Sequence, residues 1–181
     1  MRGTFPRPIE DPGSAARTSP DHTIFIESVE PRAIPVREIS AVLIGTVSSA
    51  SAFLTEDKTG IYSEFSLQVQ QLIWSRANSP AAPAGNRITA IRQGGAVRFP
   101  SGRVERFLYA GQGVPRVGGT YVFFLRWDAD LDAYGLYTGY ELTGGKVDPL
   151  DGEPQFERFR GVAVVDFVEL VKDTIRREQN E

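Results

Sequence analysis

From Tyr62 to Trp74 the chain alternates: Phe65, Leu67, Val69 and Ile73 fall on one side, Glu64, Ser66, Gln68 and Gln70 on the other. Successive side chains of an extended strand point to opposite faces, so a period of two over this length predicts a strand with one face on a core and one in water. The rest of the chain has to supply the partners of that strand.

It does so repeatedly. His22 to Val29, Ile39 to Val47, Arg87 to Arg92, Ala96 to Phe99, Arg103 to Tyr109, Thr120 to Trp127, Tyr134 to Leu142 and Lys146 to Pro149 all read as short strands, the run TYVFFLRW being apolar enough for burial on both faces. Glycine and proline, 18 and 12 residues, stand between these runs and predict turns. The turns are TEDKTG (Thr55 to Gly60), Pro100 to Gly102, DADLDA (Asp128 to Ala133) and Gly144-Gly145, with Ser75 to Gly85 as an exposed loop and the Ser/Ala-rich stretch after Val47 leading into TEDKTG. The one convincing helix comes last, over about 163–178, where Val164, Phe167, Val168, Val171 and Ile175 form an apolar stripe. Seven or eight strands and a terminal amphipathic helix predict a mainly β fold, an antiparallel barrel or sandwich capped by a helix. Residues 22–181 are expected to form one domain, preceded by residues 1–21, a Pro/Gly/Ala/Ser/Arg arm without periodicity that is expected to be extended or disordered unless it lies on something, a partner subunit being the simplest support.

Four segments, IGTVSSASAFLTEDKTGIYSEFSLQVQQLIW, RQGGAVRFPSGR, GQGVPRVGGTYVFFL and GYELTGGKVDPLDG, carry a resemblance. They resemble uncharacterised bacterial proteins of the Acidobacteria type, whose domain is similar to the netrin/tissue-inhibitor kind of OB-type barrel. The resemblance covers roughly Ile39 to Asp151 and implies a small OB-like barrel. It attaches no catalytic residues, and it implies an exported protein of the periplasm or cell envelope, although Met1 to Pro20 lacks the apolar core of a signal peptide.

Chemistry is constrained by what is scarce. There is no cysteine, which excludes disulfides, thiolate nucleophiles and Cys-based metal centres, and the single histidine, His22, cannot build a triad or a multi-His site. No cofactor is expected. No apolar run approaches the roughly 20 residues of a membrane span. Two facing carboxylates, as in glycosidases, remain the one enzymatic alternative. Asp128, Asp130 and Asp132 alternate in the manner of cation-binding oxygens, but an EF-hand needs Gly and Glu where this chain has Ala133 and Gly139, and aspartates equally suit a hairpin turn. The loop GQGVPRVGG runs into a strand without a Gly-Lys-Ser/Thr ending, so it reads as turn geometry and not as a phosphate loop.

Net charge is −3, but the charge is uneven. Arg87 to Arg116 holds six arginines against one acid, and Asp128 to the end holds thirteen acids against six bases. Arg98, Arg103, Arg106 and Arg116, interleaved with Phe99 and Tyr109, are therefore the candidate binding residues. Basic grooves with aromatics bind single-stranded nucleic acid on OB barrels. Here the aromatics are expected to face inward, and the acidic whole argues against nucleic acid and for a protein partner. The expected function is a non-catalytic binding or structural subunit of a larger assembly, membrane-associated in one version, using its arm and its polarised surface. The alternative is a stand-alone envelope module that binds an anionic protein or glycan through Arg87 to Arg116.

Overall fold

The computed structural model describes residues 32–77, 79–80 and 82–180, and the backbone of residues 22–26. The expected arm, residues 1–21, and the end of the first expected strand lie outside the described residues. In chain order the elements are β1 (His22–Ile26), β2 (Ala41–Leu54), β3 (Ile61–Ser75), β4 (Arg87–Gln93), β5 (Gly95–Arg98), β6 (Val104–Tyr109), β7 (Thr120–Asp128), β8 (Ala133–Thr143), β9 (Lys146–Pro149), α1 (Pro154–Glu157) and α2 (Val164–Gln179). The fold is mainly β with a C-terminal helix, as the alternating runs require.

Five strands close on themselves. Their order is β4-β3-β2-β7-β8, antiparallel throughout, and a short parallel pairing of Ala90 and Ile91 with Tyr134 and Gly135 joins β4 back to β8. The barrel interior is filled from alternate positions: Leu43 and Val47 from β2, Phe65, Leu67 and Val69 from β3, Phe123 and Leu125 from β7, Leu136 from β8. In β3 these are the residues that the period of two assigns to one face, except that Ile73, expected with them, packs in the opposite layer because a register shift beside it turns Leu72 inward.

The opposite face of β2, β7 and β8 is also buried. Val42, Val122, Phe124 and Tyr140 lie in a second apolar layer with Phe167, Val168, Val171 and Ile175 of α2. The helix thus packs along the side of the barrel and does not cap its end. Coverage on both faces is why β7 reads as an almost unbroken apolar run. Tyr140 ties this layer together: its ring centroid lies 4.5 Å from that of Phe167 and 5.9 Å from that of Phe159, and its hydroxyl donates to the Ala33 carbonyl at 2.8 Å. Burial pushes the Tyr140 phenol well above the ordinary tyrosine range.

Helix α2 begins without a side-chain cap; the Val164 N–H is satisfied by the Gly145 carbonyl at 2.9 Å. Asp166 in its first turn and Arg176 and Arg177 in its last suit the helix dipole.

Two expectations need correction. The Ser/Ala-rich stretch is strand, because β2 continues to Leu54 and pairs with Ile61–Ser66 of β3. Its small side chains let the β5–β6 hairpin lie against this extension: a Cβ on Gly95 would come within 2.4 Å of Ser63 Oγ and 3.3 Å of Ala52 Cβ. The described strands number nine, one for each run read from the sequence and more than the total of seven or eight; β5 and β6 form a separate sheet, with β1 running parallel to β6 from His22 opposite Glu105 to Ile26 opposite Tyr109. Among the described residues no helix is long and apolar enough to cross a membrane.

Candidate functional site

The arginine-rich stretch does not form the open basic sector that its composition suggests. Arg92 is 6% exposed and Asp151 2%, and Arg92 Nη2 donates to both Asp151 oxygens at 2.7 and 2.9 Å. Arg92 Nη1 also donates to the Gly113 carbonyl at 2.7 Å, while Asp151 accepts from the Gly113 N–H at 2.9 Å and the Thr138 hydroxyl at 2.6 Å. Arg92 follows the last β4–β8 pair, so this clamp fills the gap where the two strands part and fastens the loop around Gly113 to the segment after β9. A buried, hydrogen-bonded ion pair of this kind fixes geometry more than it adds net stability.

Two more arginines are tied up locally. Arg103 lies over the Phe99 ring, 4.8 Å from its centroid, and pairs with Glu105 at 2.8 Å. Arg116 pairs with Glu141 at 2.5 Å. Arg98 stands exposed on β5, Arg106 is half-buried on β6, and the Tyr109 hydroxyl donates to Gln93 Oε1 at 2.7 Å. The stretch therefore offers little free positive charge, and the Phe99 face that could stack a base is already covered. Only Phe107 of its aromatics is fully buried; Phe99 and Tyr109 are half-buried.

The acidic turn is equally local. Asp128 Oδ1 accepts from the N–H groups of Asp130 at 3.0 Å and Leu131 at 3.2 Å, and Asp132 has φ of 49°. Among the described residues no group of three His, Cys, Asp or Glu side chains is placed to hold a metal ion, so Asp128, Asp130 and Asp132 shape a hairpin tip and do not converge. The tip leaves Leu131 44% exposed between two exposed acids.

The outward face of β3 and β4 carries Glu64, Ser66, Gln68, Gln70, Arg87, Thr89 and Ile91, a surface without aromatic rings. Gln70 donates to Thr46 Oγ1 at 2.8 Å and Gln68 to the Gly85 carbonyl at 2.8 Å, so its amides are occupied by the protein itself.

A concavity lies elsewhere, beside α2. Residues 32–34, the stretch after α1 with Arg158 and Phe159, and the α2 positions Leu170 and Glu178 enclose an open groove of about 550 Å³. That lies inside the range of about 300–1,000 Å³ usual for ligand clefts. Ala33 and Phe159 are buried in it, Leu170 is 41% exposed, and Arg158 stacks on Phe159 with its guanidinium carbon 4.6 Å from the ring centroid. The Arg32 side chain is 61% exposed and reaches Glu38 only at 3.7 Å. A smaller hollow of about 260 Å³ adjoins it across Glu178, where Arg37 pairs with Glu178 and Arg76 donates to the Arg37 carbonyl at 2.7 Å. Apolar side chains flanked by guanidinium groups suit an apolar anchor carried beside negative charge.

Sequence reasoning missed this groove because three distant segments build it. The local signal is Leu170, which with Val165 is an apolar residue outside the buried stripe of α2. In comparison with known proteins, no family model matches the chain and no curated protein matches it.

Proposed function

We propose that this chain is a non-catalytic binding subunit that takes an acidic, apolar segment of a partner protein into the groove beside α2. The observation that carries this reading is the pairing of Arg32 and Arg158, both exposed, with the exposed Leu170 side chain over a floor formed by the buried Ala33 and Phe159. Recognition by apolar anchors within a charged rim is the usual anatomy of a protein contact surface.

The barrel favours the same view. We read the closed five-stranded barrel as the OB-type barrel that the netrin/tissue-inhibitor resemblance implies, a reading that the β4–β8 closure supports. Yet the outer face of β3 and β4, the face that stacks bases in nucleic-acid-binding OB domains, carries no aromatic ring here. A carboxylate enzyme is less well supported, since both oxygens of the buried Asp151 are engaged by Arg92, Thr138 and Gly113. An anionic-ligand module at Arg87 to Arg116 is less well supported too, with Arg92, Arg103 and Arg116 paired internally. The pairing of β1 with β6 gives the N-terminal segment a foothold on the hairpin, which suits a subunit that uses its arm in an assembly.

The test is a titration with a fluorescein-labelled peptide of glutamates and leucines, followed by anisotropy. Saturable binding is expected, weakened at least about tenfold by Arg32→Glu with Arg158→Glu. It should also weaken from about 0.1 M to about 1 M salt, as the screening length falls from about 10 Å to about 3 Å. Binding that ignores both the charge reversal and the salt would refute the reading.

A further inference from the structure

The tip between β7 and β8 has the composition that the groove beside α2 calls for. Asp130, Leu131 and Asp132 present acid, apolar side chain and acid in sequence, all exposed. The groove is lined by the exposed Arg32 and Arg158 together with Leu170, over the buried Phe159. The two acids of the tip are opposite in charge to Arg32 and Arg158, which outnumber Glu178, the one acid lining the groove among the described residues, and Leu131 is apolar like Leu170.

The tip is also held in shape before any contact is made. Asp128 accepts from two N–H groups of its own turn, and Asp132 takes the left-handed conformation that reverses the chain into β8. A loop already ordered loses little conformational freedom on docking. Both partners are exposed large apolar residues, Leu131 at 44% and Leu170 at 41%, in a chain that otherwise buries most such side chains.

We infer that the groove beside α2 receives the Asp130–Asp132 tip of a second copy of this chain. The proposal rests on the reading of the groove as a site for an acidic, apolar segment, and it names the segment. Contact between two different patches closes either reciprocally, as a two-fold dimer, or head to tail, as a ring or filament.

The test is sedimentation velocity on the full chain at rising concentration, up to about 1 mM. Wild type should associate, and Leu131→Arg should remove association without disturbing the fold, since the side chain is exposed. Asp130→Lys with Asp132→Lys should be monomeric alone, as should Arg32→Glu with Arg158→Glu. Mixing the two reversed chains should restore assembly, because reversed tip and reversed groove are again complementary. A wild-type chain that stays monomeric throughout, or a Leu131→Arg chain that assembles equally well, overturns the inference. If the glutamate–leucine peptide still binds while the wild type stays monomeric, the groove reading survives and the second copy is the wrong occupant.

Discussion

Replacing Arg92 with methionine tests whether the clamp closes the barrel. The substitution keeps most of the aliphatic stem and removes the guanidinium, so Asp151 remains buried with only the Gly113 N–H and the Thr138 hydroxyl as donors. It loses two charge-assisted bonds of 2.7 and 2.9 Å, and the Gly113 carbonyl loses its donor at 2.7 Å. Removing one member of a buried ion pair costs about 3–5 kcal/mol, chiefly because the other charge is left without compensation. In a chain of this size about 1 kcal/mol moves the midpoint by about 2–4 °C, so thermal unfolding should shift down by roughly 6–20 °C. Urea unfolding of Arg92→Met, Asp151→Leu and the double variant separates the pair from its surroundings. The double variant should be less destabilised than the two single losses added together, with a coupling of about 0.5–3 kcal/mol. A loss below about 1 kcal/mol for Arg92→Met, or strict additivity, would refute the clamp.

Three further outcomes follow from the packing and hydrogen bonds of the molecule. Phe167→Ala empties a fully buried position between α2 and Tyr140 and should cost about 3–5 kcal/mol in denaturant unfolding. Gly113→Ala should destabilise by at least about 1–3 kcal/mol, because its Cβ would meet the Leu150 carbonyl oxygen at 1.9 Å, and a neutral result would mean the loop lies elsewhere. The hydroxyls of Thr55 and Thr59 and the Thr59 N–H hold the Asp57 carboxyl down to about 2, so its NMR titration should centre there and rise toward 3.8 in Thr55→Val with Thr59→Val. A depressed carboxylate contributes fully above the unfolded value and loses that contribution progressively as pH falls from it through the folded one, so the turn should loosen between about pH 3.8 and about 2.

Much of the fold was legible because burial on one face imposes a period on the sequence. The alternation of β3 located the barrel interior at Phe65, Leu67 and Val69 but not at its end, where a bulge turns Ile73 to the other layer, and the stripe Phe167, Val168, Val171, Ile175 located the buried side of α2. Closure was not legible: two parallel pairs between β4 and β8 leave no periodic trace. Charge was the most misleading signal. Arg92 looks like its neighbours in sequence, and only Asp151, 59 residues away, makes it an interior residue. The extension of β2 through serine and alanine was hidden for a related reason, since those small residues serve the close approach of Gly95 and not strand propensity. The groove left least trace of all, being a meeting of segments near residues 32, 158 and 170.

The account stands or falls on where an acidic, apolar ligand touches the molecule. Backbone amide shifts of isotope-labelled protein, recorded while the glutamate–leucine peptide is added, locate that contact directly. The account predicts shifts confined to residues 32–34, 155–159 and 170–178. Shifts concentrated on the outer face of β3 and β4, or on Arg98, Arg103 and Arg106 of the β5–β6 hairpin, would contradict it.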